Sequence, residues 1–190
     1  MNGYDFDNTI LRGNSTRRFY FFCALRFPYL LIFVPVIMLA GILRVLHIVG
    51  VNRYLHMLEW YISCVPNVEK RVVKFWDKNM KRIKPWYLEA RRDDDIVVSA
   101  SPYFLVSEAC NRLGVKCIAT NLDVHARLCG KHVYGEQKVV AYKAAFGEQP
   151  LATYYSDSMS DIPMFKFAER GLYVKGDKIT QLYEKGTRIN

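Results

Sequence analysis

A chain of 190 residues with 51% apolar and 24% charged side chains can build one core and a small accessory domain, which excludes a disordered or fibrous protein. Its net charge of +9 is concentrated, because residues 11–92 carry 15 Lys and Arg against four acidic residues while the remainder carries 12 against 14. Such asymmetry predicts a polyanionic neighbour, and without any base-stacking or groove-reading motif that neighbour is expected to be anionic lipid rather than nucleic acid.

Residues 1–10 read as a short strand ending at the first aspartates, and Arg12-Gly13-Asn14-Ser15 supplies turn chemistry with a helix cap. Residues 16–92 read as helical throughout. From Ile96 short β-branched runs alternate with amphipathic stretches. The first strand there is Ile96-Val97-Val98-Ser99, and a helix over 102–113 follows, with Ser101 as N-cap, Pro102 at the first helical position and Gly114 at the end. Residues 117–120 read as a strand, 122–135 as a hairpin around Cys129-Gly130-Lys131, and 136–146 as a helix. A strand over 151–156, a helix over 161–170 and a last short strand over 172–174 complete the pattern. This alternation predicts an α/β fold with a parallel sheet in three layers, whose ligand site lies beyond the carboxyl ends of the strands. Asp5, Ser99 and Asp157 all fall at such ends. The five cysteines, Cys23, Cys64, Cys110, Cys117 and Cys129, show no C-x-x-C and no metal-type spacing with the four histidines, which argues against zinc and suits a reducing compartment.

The chemistry is carried by acidic residues. Asp5 and Asp7 sit two apart at a strand end, and Asp157 and Asp161 form a second pair four apart. Phosphate monoesters hydrolyse very slowly in water, so a catalyst must supply an aligned nucleophile, a proton for the leaving group and positive charge around the phosphoryl oxygens. Asp5 can attack phosphorus, and Asp7 can protonate the leaving oxygen and later deprotonate a water. A Mg²⁺ between Asp5, the backbone carbonyl of Asp7 and Asp157 would screen the nucleophile from the incoming anion. Ser99 and Ala100, between a strand end and a helix start, can offer hydroxyl and backbone N–H groups to the phosphoryl oxygens, and the Thr9 hydroxyl can do likewise. Lys138, in the first turn of a predicted helix, can neutralise the remaining charge, with Lys131 and Lys143 as flanking alternatives. Asp161 can orient Lys138 or a metal-bound water.

In chain order, Asp5-Phe6-Asp7-Asn8-Thr9, Val97-Val98-Ser99-Ala100-Ser101-Pro102, Lys138 and Asp157-x-x-x-Asp161 resemble the four motifs of the haloacid dehalogenase superfamily. The helical insert resembles the cap of its phosphoserine-phosphatase-like branch. The resemblance implies a Rossmann-like core formed by residues 1–12 and 93–190, a helical cap over 13–92, Mg²⁺ dependence with Asp5, Asp7, Asp157 and Asp161 around the metal, and an aspartyl-phosphate intermediate. Ser156 departs from the pattern, since many relatives carry glycine there.

The cap holds the remaining signal. Residues 27–43 are 17 positions without a charge, at the short limit for crossing a bilayer core of roughly 30 Å, and Pro28 and Pro35 weaken a simple span. Asp5 before the insert and Ser99 after it must meet on one side, so crossings between them must be even in number, yet only one run is long enough. A helix, or a hairpin bent near Pro35, is therefore expected to dip into one leaflet and return. Basic residues of 69–84 mixed with aromatics, followed by Trp86-Tyr87, suit an anionic headgroup layer, so cap residues 19–51 and 69–87 are the expected membrane contact. The alternative is a buried cap core with a solvated basic face. Asp5 stands four residues from Met1, which is expected to leave no room for a cleavable signal and to place the catalytic part at the cytoplasmic side of the cell membrane.

The expected function is Mg²⁺-dependent hydrolysis of a lipid phosphate monoester, and the pattern resembles the phosphatidylglycerophosphate phosphatases of the superfamily. The alternatives are a soluble phosphatase for a phosphoserine-like metabolite and, in a different class, a catalytically silent membrane-tethered adaptor. No acidic residue occurs between Asp7 and Glu59 to receive a substrate ammonium group, which disfavours an amino-acid substrate.

Overall fold

The computed structural model of the chain describes residues 1–48, 50, 60–122 and 131–189. The core is a seven-stranded sheet in the order β3-β2-β1-β4-β5-β6-β7. Its strands are β1 (Asn2–Tyr4), β2 (Ile96–Pro102), β3 (Lys116–Thr120), β4 (Thr153–Ser156), β5 (Arg170–Lys175), β6 (Lys178–Glu184) and β7 (Thr187–Arg188). The first five in the spatial order run parallel, and β6 and β7 add an antiparallel edge. The strand expected over 172–174 is thus the middle of β5, and the two strands after it are additional to the expected pattern. Most of the expected hairpin around Cys129-Gly130-Lys131 lies outside the described residues.

Two apolar layers follow from the two-residue period of the strands. Val97 and Tyr4 face one side, where helices α1 (Ser15–Arg26), α3 (Val68–Asn79), α4 (Pro85–Ala90) and α5 (Tyr103–Leu113) contribute Phe19, Phe75, Trp76, Tyr87, Leu105 and Val106. Ile96, Val98 and Tyr154 face the other, against Tyr142 of α6 (Glu136–Phe146) and Met164 and Phe165 of α7 (Ile162–Phe167). This is the expected three-layer arrangement. Gly3 lies on the central strand where a Cβ would stand 2.5 Å from Leu151 Cδ1, so only glycine admits that packing. Gly114 ends α5 at φ 69°, a left-handed position that favours glycine.

Helix α5 begins later than its sequence suggests. Pro102 is the last residue of β2 and caps α5 without a side-chain hydrogen bond. The Ser101 hydroxyl donates to Asp7 Oδ2 at 2.5 Å and accepts from Thr16 Oγ1 at 2.9 Å, so it is committed to the carboxylate and not to the helix end.

The insert divides into two unlike parts. Helix α3 has Val72, Phe75 and Trp76 at i, i+3 and i+4, and these are buried while Lys70, Lys74 and Lys78 are exposed. Trp76 Nε1 donates to the Leu105 carbonyl at 2.7 Å, Tyr87 is fully buried, and Trp86 packs on Tyr4 and Tyr155. The expected headgroup contact through the aromatics of 69–87 is therefore corrected, because those rings complete the core beneath the sheet; only the basic face of α3 remains outside. Lys84 is corrected too. It is buried, and its Nζ donates to the carbonyls of Asn8 and Gly176 at 2.6 Å each.

The other part is a 3-10 segment, Pro28–Phe33, that runs into α2 (Val34–Val45) through helical backbone at Phe33 and Val34, with Pro35 in the first turn, where its missing N–H costs no helical bond; the hairpin bend expected near Pro35 is not seen among the described residues. Ala40 is the one buried residue of α2, and Val36, Met38, Leu39, Ile42 and Val45 stand exposed. The stretch Pro28–Val45 has a mean hydropathy of 2.1 and is long and apolar enough to cross a membrane by length and composition.

Candidate active site

Asp5 follows β1 directly, and its backbone N–H donates to the Tyr155 carbonyl at 2.8 Å, which fixes the carboxylate at the end of the two central strands. The chain then turns through Asn8 at φ 58°, with the Ile10 and Leu11 N–H groups both reaching back to the Phe6 carbonyl. This turn brings Asp7 and the start of α1 beside the end of β2. Asp5, Asp7, Ser99, Ala100, Lys138, Asp157 and Asp161 all line one cavity of about 310 Å³ at the carboxyl ends of the strands.

Lys138 is at the centre. It lies in the first turn of α6, is buried, and its Nζ donates to Asp5 Oδ1 and Asp161 Oδ2 at 2.7 Å each. The flanking alternatives are elsewhere: Lys143 pairs with Glu148 at the surface and Lys131 is exposed. Burial pushes the Asp5 carboxyl up to about 7, with Lys138 opposing and the like charges of Asp161 and Asp7 adding. Burial by itself would lower the pKa of Lys138, but Asp5 and Asp161 outweigh it, so the ammonium is raised and stays charged. A single lysine shared by two carboxylates is a buried network in which loss of one member leaves an uncompensated charge.

Asp161 is further held by Ser156, whose hydroxyl donates to Oδ2 at 2.7 Å, and by the Tyr154 hydroxyl at 3.4 Å. Its Oδ1 is buried with no hydrogen-bond partner. Ser156, the departure from the resembled pattern, thus has a definite task. It orients the acid that orients the lysine.

Asp7 accepts from the Ser15 N–H at 2.6 Å, from Ser101 Oγ at 2.5 Å and from Asn14 Nδ2 at 3.4 Å. Burial raises its pKa, and the Ser101 and Ser15 hydrogen bonds pull the other way. Ser99 Oγ accepts from the Ser101 N–H at 3.2 Å, which leaves its proton free to point into the cavity. Thr9 is not where a phosphate ligand would be: it is fully buried, it is not among the residues that line the cavity, and its hydroxyl donates to Asp157 Oδ1 at 3.1 Å while accepting the Asp157 N–H at 2.9 Å. That hydroxyl ties the two acidic loops together instead.

Sequence reasoning missed Asn14, Ser101, Tyr154 and Ser156. The spacing held a signal for Tyr154 and Ser156, which lie two apart on a strand and so share a face, whereas the register of β2 shifts between Ser99 and Pro102 and hid Ser101.

Four carboxyl groups stand against one ammonium in the described lining, with Lys138 its sole basic side chain. An anion could enter only with added positive charge. Among the described residues no three His, Cys, Asp or Glu side chains form a metal cage by themselves. Two carboxylates, a backbone carbonyl and water would have to suffice, which is how the small, reluctantly dehydrated Mg²⁺ is commonly bound. The unpartnered Asp161 Oδ1 is a ready acceptor for a water of such an ion.

A parallel α/β sheet that gathers acidic residues and a buried lysine at its carboxyl edge defines a hydrolytic enzyme of the α/β class. The chain belongs to the haloacid dehalogenase-like hydrolase family, whose pattern matches residues 3–166. Comparison with curated proteins by sequence gives no match. Among solved structures, a protein of unknown function from Bordetella pertussis Tohama I is similar at 17% identity and a TM-score of 0.71, over 90% of this chain and 87% of that one. A phosphoserine phosphohydrolase-like protein from Francisella tularensis is similar at 13% identity and a TM-score of 0.59, over 90% and 84%. A cytosolic 5'-nucleotidase IIIB bound to cytidine is similar at 14% identity and 0.63, over 88% and 68%.

Proposed function

We propose that the protein is a Mg²⁺-dependent phosphomonoesterase that acts on a lipid phosphate at the cytoplasmic face of a membrane. The observation that carries the chemistry is the buried Asp5–Lys138–Asp161 network opening on a cavity also lined by Asp7, Ser99 and Asp157. Two of the similar structures named above are phosphate-ester hydrolases by description, which supports the reaction class.

In this reading Lys138 holds one oxygen of Asp5, which leaves the other to attack phosphorus while the ester oxygen departs. Asp7, whose burial favours its protonated form, gives that leaving oxygen its proton. A phosphoryl group is then carried on Asp5. Asp7, now a carboxylate, takes a proton from water, the water oxygen attacks phosphorus, and Asp5 is released with inorganic phosphate. The Ser99 hydroxyl and the backbone at Ala100 donate to the phosphoryl oxygens, and Lys138 offsets their charge. Asp5, Asp157 and the Asp7 carbonyl would hold Mg²⁺, with Asp161 reaching it through water; the ion would supply the positive charge that lets a phosphate approach the acidic side chains.

The lipid assignment rests on Pro28–Val45, an apolar stretch only 11% buried, joined to the first catalytic loop by one helix. The expected substitution test is direct. Asp5→Asn should reduce turnover of phosphomonoesters by about 10³-fold or more with the circular-dichroism spectrum unchanged. Retained Mg²⁺-dependent turnover in that variant would remove the nucleophile assignment.

A further inference from the structure

A second cavity, of about 470 Å³, lies between α1 and α2. Its volume is in the range of small-molecule sites, roughly 300–1,000 Å³. Ala24, Leu31, Val34, Ile37, Met38 and Gly41 form most of its wall. Thr16 and Tyr20 line both this cavity and the carboxylate cavity, so the two share a boundary. Thr16, Tyr20 and Ala24 follow one another at i, i+4 and i+8 on α1, a single stripe of about 12 Å along the helix axis.

The boundary is built and not incidental. The Thr16 hydroxyl donates to Ser101, which donates to Asp7, so the polar end of the stripe belongs to the acid's own hydrogen-bond chain. Tyr20 is pinned from outside: Tyr61 stacks on it with ring centroids 4.7 Å apart, and the Tyr61 hydroxyl donates to the Tyr20 carbonyl at 2.7 Å. Beyond Tyr20 the stripe continues on the small side chain of Ala24, and Gly41 of α2 is also in the cavity wall.

We infer that this cavity receives the hydrocarbon chain of the phosphomonoester substrate, whose phosphate enters the carboxylate cavity and whose chain passes Thr16 and Tyr20 to lie along α1. The inference rests on the phosphomonoesterase reading above and names the part of the protein that selects among its substrates. The occupant is specified by continuity, since a molecule spanning both cavities must be anionic at one end and apolar along the other. A small polar metabolite would leave the second cavity without a role.

The test uses the full chain with Mg²⁺ and a series of n-alkyl phosphates kept below their micellar concentrations, with p-nitrophenyl phosphate as a chainless reference. No bilayer is present, so membrane binding does not enter. In the native chain kcat/KM should rise by up to about fourfold per methylene and level off once the chain outgrows the cavity. Gly41→Phe, which fills the space, should flatten the rise and lower the long-chain value at least tenfold while leaving p-nitrophenyl phosphate within twofold. Met38→Glu, at a position exposed enough to tolerate charge, should do the same and guards against a folding defect in the first variant. Equal kcat/KM along the series, with p-nitrophenyl phosphate hydrolysed, would overturn the inference and leave the phosphatase reading standing. Calorimetric binding of dodecyl phosphate separates the other case: if no phosphate ester is turned over, a tenfold weaker Kd in Gly41→Phe still supports the cavity, and an equal Kd overturns it.

Discussion

The two halves of the insert are both rich in apolar residues, yet they have opposite fates. Residues 68–90 are folded into the layer beneath the sheet, with Phe75, Trp76 and Tyr87 at 1% exposure or less. Residues 34–45 keep Leu39 and Ile42 at 57% and 56% exposure. Both composition and periodicity separate them, since residues 68–90 carry seven Lys and Arg and residues 34–45 only Arg44. Helix α3 puts its apolar residues on one stripe and its lysines on the other, so it has a side for the core and a side for water. Helix α2 is apolar all round, with Arg44 its one charged residue near its end, so once Ala40 is buried the remaining faces have no polar identity to present to water. A helix apolar all round needs an apolar surrounding, and the membrane reading proposed above would supply one.

Substitution in the buried half should have the largest effect. Trp76→Ala removes the biggest fully buried side chain and its hydrogen bond to the Leu105 carbonyl, and should cost about 3–5 kcal/mol in urea unfolding. A loss below about 1 kcal/mol would mean that α3 is not part of the core, and the contrast between the halves would collapse.

Lys84→Met comes next. It leaves the Asn8 and Gly176 carbonyls without their donor, at a cost of about 1–3 kcal/mol, and frees the loop that carries Asp7. Burial lowers the Lys84 pKa, opposed by Asp177 and Asp157. A base lowered on folding penalises the native state in full below its native pKa, and the penalty fades as pH rises toward the unfolded value near about 10.4. The difference in stability between native and Lys84→Met chains should therefore widen in favour of the native chain as pH approaches about 10 from neutrality. A difference independent of pH would show that Lys84 meets solvent, as a headgroup-facing lysine would.

Much of the site was legible because strand ends and acidic spacing are local properties. Alternating short β-branched runs placed Asp5, Ser99 and Asp157 at the same edge, and Lys138 in the first turn of a helix had only to be brought across by the fold. What was hidden depends on competition between partners. Ser101 before a proline has the chemistry of a helix cap, yet a buried carboxylate is the stronger claimant and Asp7 takes the hydroxyl. Thr9 could have served a phosphate, but the loop turns it inward to Asp157. The edge strands β6 and β7 escaped notice because the register shift in β6 sets Ile179 opposite Val174 and Tyr183 opposite Gly171, so the apolar residues of Lys178–Glu184 fall on both faces with no clean alternation. Lys84, Trp86 and Tyr87 were misplaced because aromatic and basic residues side by side fit a headgroup layer and a capped core equally well.

The smallest stability effect should come from the exposed half, and its value lies in what else changes. Leu39→Ser with Ile42→Ser alters two side chains that make little contact with the core, so unfolding free energy should stay within about 0.5 kcal/mol of the native chain. Together they remove roughly two full side-chain burials from any helix that enters a bilayer, each worth about 1.5–3 kcal/mol in transfer. Sedimentation with anionic vesicles should then fall by at least tenfold, while turnover of p-nitrophenyl phosphate in the absence of vesicles is unchanged. Sedimentation of the native chain should also weaken with added salt, because the basic face of α3 acts over no more than about a Debye length. Unchanged vesicle binding in the double variant would mean that α2 is not the inserted element. If stability instead dropped as steeply as in Trp76→Ala, the exposed apolar face would be packing on protein, and the lipid surface would give way to a folded partner.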